Sequence, residues 1–281
     1  YDLVARMTGT PFALGGGAWR CFPACELHET NDRRFWFDAK VGRPLWKGSS
    51  FDQYDPAGRD ARPCPVTDQL MAKVRKDRGS PGAGSLGACD VPVEARREAV
   101  ARTVNRERVA FRDVSRATDS RTVRACLIPK ETFLTNKAPY LNFLEDDPIH
   151  EAACLAVMNS VAFDWQARRY IEINLNFFIL ELLKVPLFSG DQIPELGERA
   201  ARLSAVDERF AHFAKACGVE YGPVGTDESL RLRSEIDALV AQAWNLSADD
   251  LKLIFEDFPA TEAGVSPEYR QAILEAFEAI S

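Results

Sequence analysis

Cys21, Cys25 and His28 have the spacing that opens a zinc site, where thiolates and an imidazole begin a tetrahedral ligand set. No second ligand pair follows at finger spacing, so a finger is not predicted. Asp32 followed by Asp38-Ala39-Lys40 loosely fits the acid, acid-x-Lys arrangement with which nucleases hold a magnesium ion and its water. His28, His150 and His212 are the only histidines, and none has a histidine partner four residues on. There is no Gly-x-Ser-x-Gly nucleophile elbow and no Pro-Pro loop of the kind that accepts the hydrogen bonds of a flipped-out amine. Gly15-Gly16-Gly17 lacks the spacing of a phosphate-cradling loop and reads as a flexible turn. The residues therefore point away from self-contained catalysis and towards binding.

Residues 1–54 read as short strands and loops, with Arg34-Phe35-Trp36-Phe37 as one strand. A mobile loop is expected over about 56–92, since Gly79 to Ser85 is all small residues, glycine and proline. Lys73, Arg75, Lys76 and Arg78, just before Gly79, read as a solvated helix face. Pro92 to Arg106 is predicted helical, then Arg108 to Val114 and Arg121 to Pro129 as strands. Pro148 to Ala162 reads as an apolar helix, continued by another over Phe163 to Ile171. Leu175 to Val185 is apolar throughout, and periodicity does not decide between strand and helix. Helices are expected over Glu195–Ala216, Asp227–Trp244, from Ser247 as cap, and over Pro267–Ile280. This predicts an α+β chain: a mixed-sheet domain over 1–190 and a helical region over 191–281.

The 281 residues carry 35 Lys+Arg and 42 Asp+Glu, a net charge of −7, which excludes a protein that coats a polyanion with its whole surface. The charge is uneven. Residues 1–140 hold 24 bases against 17 acids, whereas 141–281 hold 11 against 25. Such asymmetry points to a polyanion partner for one face. No apolar run is long enough to span a bilayer, so no membrane partner is expected. Seven scattered cysteines read as reduced thiols and place the protein in the cytoplasm. The start at Tyr1 is neither a signal peptide nor an initiator, and reads as the interior of a longer polypeptide.

Four segments, in order, carry a family resemblance. They are Glu29–Phe35 with Pro44–Asp55; Arg108–Val114 with Thr118, Arg121-Thr122 and Ile128-Pro129; Leu155 to Pro186, centred on Asn159-Ser160, Phe163-Asp164, Arg168 and Asn174–Phe178; and Ile236–Val240 with Leu246-Ser247 and Leu251. Together they resemble the C-terminal target recognition region of large adenine-N6 DNA methyltransferases. These are the type IIG and single-chain type ISP restriction–modification enzymes and their BREX and DISARM phage-defence relatives. Trp46-Lys47 stands where the family pattern has Tyr-Glu. The resemblance implies a module that reads double-stranded DNA for an upstream methyltransferase domain of the same polypeptide. S-adenosylmethionine would be bound by that parent, and no cofactor by this segment.

Read for DNA, cations must neutralise phosphate and planar donors must read base edges. The candidates are Lys47 and Gln53; Arg112, Arg116, Thr118, Arg121 and Arg124; Asn136 and Lys137; and Arg168, Arg169, Asn174 and Asn176. These clusters are expected to converge on one face. Arg112 and Arg121 are equally readable as structural partners of Asp113 and Asp119, and Thr135-Asn136-Lys137 as a plain turn. Two other classes remain: a scaffold whose helical tail docks a partner subunit, and an independent nuclease at Asp38 and Lys40. The target DNA sequence is not readable without a docking geometry.

Overall fold

The computed structural model describes residues 2–10, 14, 19–78, 92, 94–95, 98–99, 103 and 105–280. Its first sheet has four antiparallel strands: β1 (Cys21–Ala24), β4 (Arg108–Phe111), β5 (Ala125–Ile128) and β7 (Tyr140–Phe143), in the order β1-β7-β4-β5. Every residue of these strands is buried, because both faces are covered. Strand periodicity divides the side chains. Val109, Phe111, Ala125, Leu127, Leu141 and Phe143 enter the main core. Ala110, Cys126, Ile128 and Tyr140 meet Trp46, Phe51 and Leu134 on the other side.

The second sheet has β2 (Arg43–Trp46) between β3 (Arg62–Cys64), antiparallel, and β6 (Phe133–Leu134), parallel. Helix α2 (Asp68–Arg78) covers it, placing Leu70 and Val74 one turn apart on Leu45, Cys64 and Phe133. The Thr67 hydroxyl caps α2 by accepting from the Leu70 amide at 3.1 Å. A strand and a helix thus occupy residues 62–78 of the expected loop 56–92, while residues 79–91 lie outside the described residues. The triple glycine Gly15–Gly17 also falls outside them, as do residues 93, 96–97, 100–102 and 104 of the helix predicted over Pro92–Arg106; residues 94–95, 98–99 and 103 of that span are helical.

The helical side begins with α1 (Asp2–Thr8), where strands and loops were expected; Leu3 and Met7, four apart, are buried on one stripe. Helix α3 (Pro148–Asn159) has Pro at its first position, and Asp147 accepts from the amides of Ile149 and His150. Its residues Glu151 to Asn159 are all buried, between the first sheet and α6 (Gln192–Ser204). Ser160, not Ala162, breaks the chain: its hydroxyl donates to Val157 O and accepts from Phe163 N, ending α3 and capping α4 (Val161–Ala167). The undecided stretch 175–185 contains a short helix, α5 (Phe177–Leu182), capped by Asn176.

Helix α6 stops at Ser204. Asp207 then caps a 3-10 turn that feeds α7 (Ala211–Ala216), so the single helix expected over 195–216 is two. Helices α8 (Thr226–Ala243), α9 (Ala248–Glu256) and α10 (Pro267–Ile280) follow the predicted spans. Ser247 and Asp250 form a reciprocal capping box at α9. One contiguous apolar cluster runs from Leu3 through the sheet and α3 to Ile273 in α10, crossing residue 190 without a gap. Among the described residues no helix is long and apolar enough to cross a membrane.

Two further expectations change. Arg34–Phe37 is not a strand: residues 33–35 form a 3-10 turn, and Arg33 stacks on the ring of Phe37 four residues on. The strand expected from Arg121 begins only at Ala125, because the side chains of Arg121 and Arg124 are used to shape the preceding loop.

Candidate nucleic-acid interface

The candidate segments do meet, and two carboxylates join them. Asp52 Oδ2 takes Arg112 at 3.1 Å and Arg124 at 2.8 Å. Arg112 also donates through Nε to Phe51 O at 3.0 Å, and Arg124 to Ser120 Oγ at 2.9 Å and Arg121 O at 3.1 Å. Burial pulls the Arg112 pKa down, and Asp52 opposes the shift. Asp113 Oδ2 takes Lys137 Nζ and Asn174 Nδ2, each at 2.8 Å. The loop after β4, the turn before β7 and the strand-like segment at 174 are thereby tied together. The close approach needs Gly48: a Cβ there would lie 2.6 Å from the Lys137 carbonyl oxygen.

Three candidates point inward. Arg121 is 4% exposed, with Nε on Asp164 Oδ2 at 2.7 Å and Nη2 on Asn159 O at 2.6 Å. Arg168 is 7% exposed and bonds backbone carbonyls. Gln53 donates to Val123 O at 2.7 Å and accepts from Arg233 of α8 at 3.0 Å. Their donors are engaged by the protein, so in this conformation they build the loop rather than face solvent. Asn159 exchanges both amide bonds with the backbone of Ala125 at 2.9 Å, extending the edge of β5 as a strand would. Two resemblance residues, Asn159 and Asp164, are thus scaffold; sequence reading did not place them with Arg121 because the pairing spans 38 and 43 residues.

The outward set is Lys47, Arg116, Thr118 and Asn176, all exposed, with Asn176 also capping α5. Exposed Arg169 stacks on Trp165 and pairs with Asp257. Asn136 is half-buried and accepts the Glu29 amide at 2.9 Å, fixing the 28–33 turn beside it. That turn, β2 and residues 60–62 border a cleft of about 410 Å³. Arg33, Lys47 and Arg62 line it together with the hydroxyl residues Thr30 and Thr135. Among the described residues none of these three cations has a carboxylate within ion-pair distance, although Glu29 and Asp60 also border the cleft. Arg33 and Arg62 were missed as site residues. Arg33 lies inside the first resemblance segment, which was the available signal; Arg62 had none.

A larger cleft of about 640 Å³ separates the 52–55 turn from α8 and the 262–269 segment. Four acids, Asp52, Asp55, Glu262 and Glu268, share its walls with Arg121, Arg124 and Arg233, so it repels phosphate as much as it attracts it. As for the metal and nuclease readings, no three His, Cys, Asp or Glu side chains among the described residues are placed to hold one ion. Burial pushes the Cys25 thiol up to about 12, and Asp32 is held by the His28 amide at 2.7 Å and Lys73 at 3.1 Å.

No protein-family model matches this chain, and no curated protein does. Among solved structures, it is similar to the Type IIL restriction-modification enzyme MmeI in complex with DNA, at 13% identity and a TM-score of 0.42. The match covers 92% of this chain, which spans about a third (35%) of the length of that one. A likeness of this degree leaves the functional reading to the residues of the chain itself.

Proposed function

We propose that this chain is the sequence-reading module of a larger adenine-N6 DNA methyltransferase of a restriction–modification or phage-defence system. It would hold double-stranded DNA for an upstream catalytic domain that carries S-adenosylmethionine. One observation carries the reading: the first resemblance segment and residues 60–62 border a cleft where Arg33, Lys47 and Arg62 have no carboxylate partner among the described residues. Most other candidate cations are neutralised internally, by Asp52, Asp113 and Asp164. Unpaired cations with neighbouring hydroxyls are what a phosphodiester backbone requires. The acid-rich helices would lie away from the duplex and support the loops from behind.

The test is binding of a duplex as a function of salt. Each phosphate contact contributes about 0.9 to the slope of log K against log salt, so R33A/K47A/R62A should flatten it by about 2.7. Wild-type binding with no slope, or an unchanged slope in the triple variant, refutes the reading.

A second reading, docking of a partner protein, is favoured by one feature. Ile173, Phe178, Leu182 and Leu187 are exposed within fifteen residues of each other. Alanine at Phe178 and Leu182 separates the readings: a partner-docking surface would lose its partner, while duplex binding would be unaffected.

A further inference from the structure

We propose that Arg168 is a positioning residue that sets the shape of the 115–122 loop and so the display of Arg116 and Thr118, an inference that rests on the DNA reading above. All four Nη–H groups of Arg168 are engaged. Nη1 donates to Ala117 O at 2.6 Å and to Asp257 O, at the end of α9, at 3.2 Å. Nη2 donates to Asp119 O at 2.6 Å and Ser120 O at 3.1 Å. The guanidinium lies over the Phe258 ring, 4.1 Å from its centroid, and its Nε is 3.5 Å from Asp164 Oδ1.

One planar fork thus gathers three carbonyls of a single loop and ties them to the end of a C-terminal helix. Only a guanidinium has donors enough, in a fixed plane, to do this; an ammonium is a point charge with three rotatable donors. The rest of the loop closes on itself. Asp119 N donates to Arg116 O at 3.1 Å, Arg116 N to Asp119 Oδ2 at 3.0 Å, and Thr122 Oγ1 to Arg116 O at 3.0 Å. With its carbonyls held inward, the loop leaves the side chains of Arg116 and Thr118 exposed. Arg168 therefore acts on DNA through Arg116, and the helical region contributes to recognition by fixing this loop.

The experiment uses the full chain with R168K, R116A and the double variant, read by amide exchange without DNA and by salt-dependent binding of a mixed-sequence 30-base-pair duplex. R168K should speed exchange of the 115–122 amides about tenfold relative to the sheet, as expected when several backbone-fixing hydrogen bonds are lost. R116A should lower the salt slope by about 0.9 in the wild-type background and by nearly nothing in R168K. Unchanged loop exchange overturns the pin. A loosened loop with the R116A effect intact overturns its role in display. Wild-type binding without a salt slope overturns display and the DNA reading together, which the exchange result tells apart from failure of the pin. Should R168K not fold, arginine-selective 15N spectra of the wild type decide: resolved, slowly exchanging Nη–H signals support the pin, and a freely averaged set overturns it.

Discussion

Replacing Asp164 by Asn is the most direct test of how the loop before β5 is built. The Asp164 side chain is fully buried, and the Arg121 side chain is 5% exposed. The carboxylate receives Arg121 Nε at 2.7 Å and the Thr122 amide at 3.1 Å on both oxygens, with Arg168 Nε 3.5 Å away. Asn keeps an acceptor for Thr122 but turns an NH2 or a neutral oxygen towards Arg121, removing the carboxylate that pairs directly with this buried cation. Two unit charges about 4 Å apart attract by roughly 4 kcal/mol at an effective dielectric of 20, and Arg121 is closer than that. Breaking one side of a buried pair costs about 3–5 kcal/mol. At roughly 2–4 °C per kcal/mol for a chain of this size, thermal unfolding should fall by about 6–20 °C. Calorimetry or urea denaturation measures it. The double variant R121Q/D164N should regain part of the loss, because the unpaired charge is gone. A loss below about 1 kcal/mol for D164N, or strictly additive single costs, would refute the buried-pair argument.

Three other outcomes are expected. A fragment ending at residue 190 should not fold, because it would lose α6, which packs on α3, and uncover the part of that buried helix facing it; each large apolar side chain so exposed is worth about 1.5–3 kcal/mol against a total stability of about 5–15 kcal/mol, and a cooperative unfolding transition in that fragment would contradict it. Burial pushes the Asp237 carboxyl above the ordinary 3.8, against the pull of Arg121, the Tyr269 hydroxyl and the Val161 amide. A raised folded pKa means the native state holds this proton more tightly, so its contribution is full below 3.8 and is lost as pH rises through the folded value. D237N should therefore gain stability relative to wild type as pH climbs from about 4, and a difference flat in pH would count against this. Gly58 has φ +66°, and a Cβ there would lie 2.8 Å from the Trp46 ring that borders the cationic cleft. G58A should cost about 2–4 kcal/mol from the left-handed backbone and the clash, with altered tryptophan fluorescence; an unchanged unfolding midpoint would show that the turn relaxes freely.

Much of the element order was legible before any tertiary information. Alternation identified β4, and the cap residue Ser247 with acids behind it identified the start of α9. These signals lie between residues a few positions apart, which is why the chain displays them locally. Where the local signal was composition alone, it failed: residues 62–72 looked like loop because proline and polar residues dominate them, yet a strand forms at 62–64 and Leu70 finds an apolar sheet to pack on.

The candidate site divides in the same way. Its residue types, the asymmetric charge and the resemblance segments were all in the sequence. Which cations face solvent was not. Arg116 and Arg121 are five residues apart in one basic segment; one is exposed and the other is closed on Asp164, 43 residues further on. Arg62 carried no motif, and it reaches the cleft only because β3 pairs with β2 beside Lys47. An arginine's availability depends on whether folding brings a carboxylate or a carbonyl to it. That partner comes from distant chain, so the local sequence supplies the charge and only the tertiary structure decides whether it is free to bind.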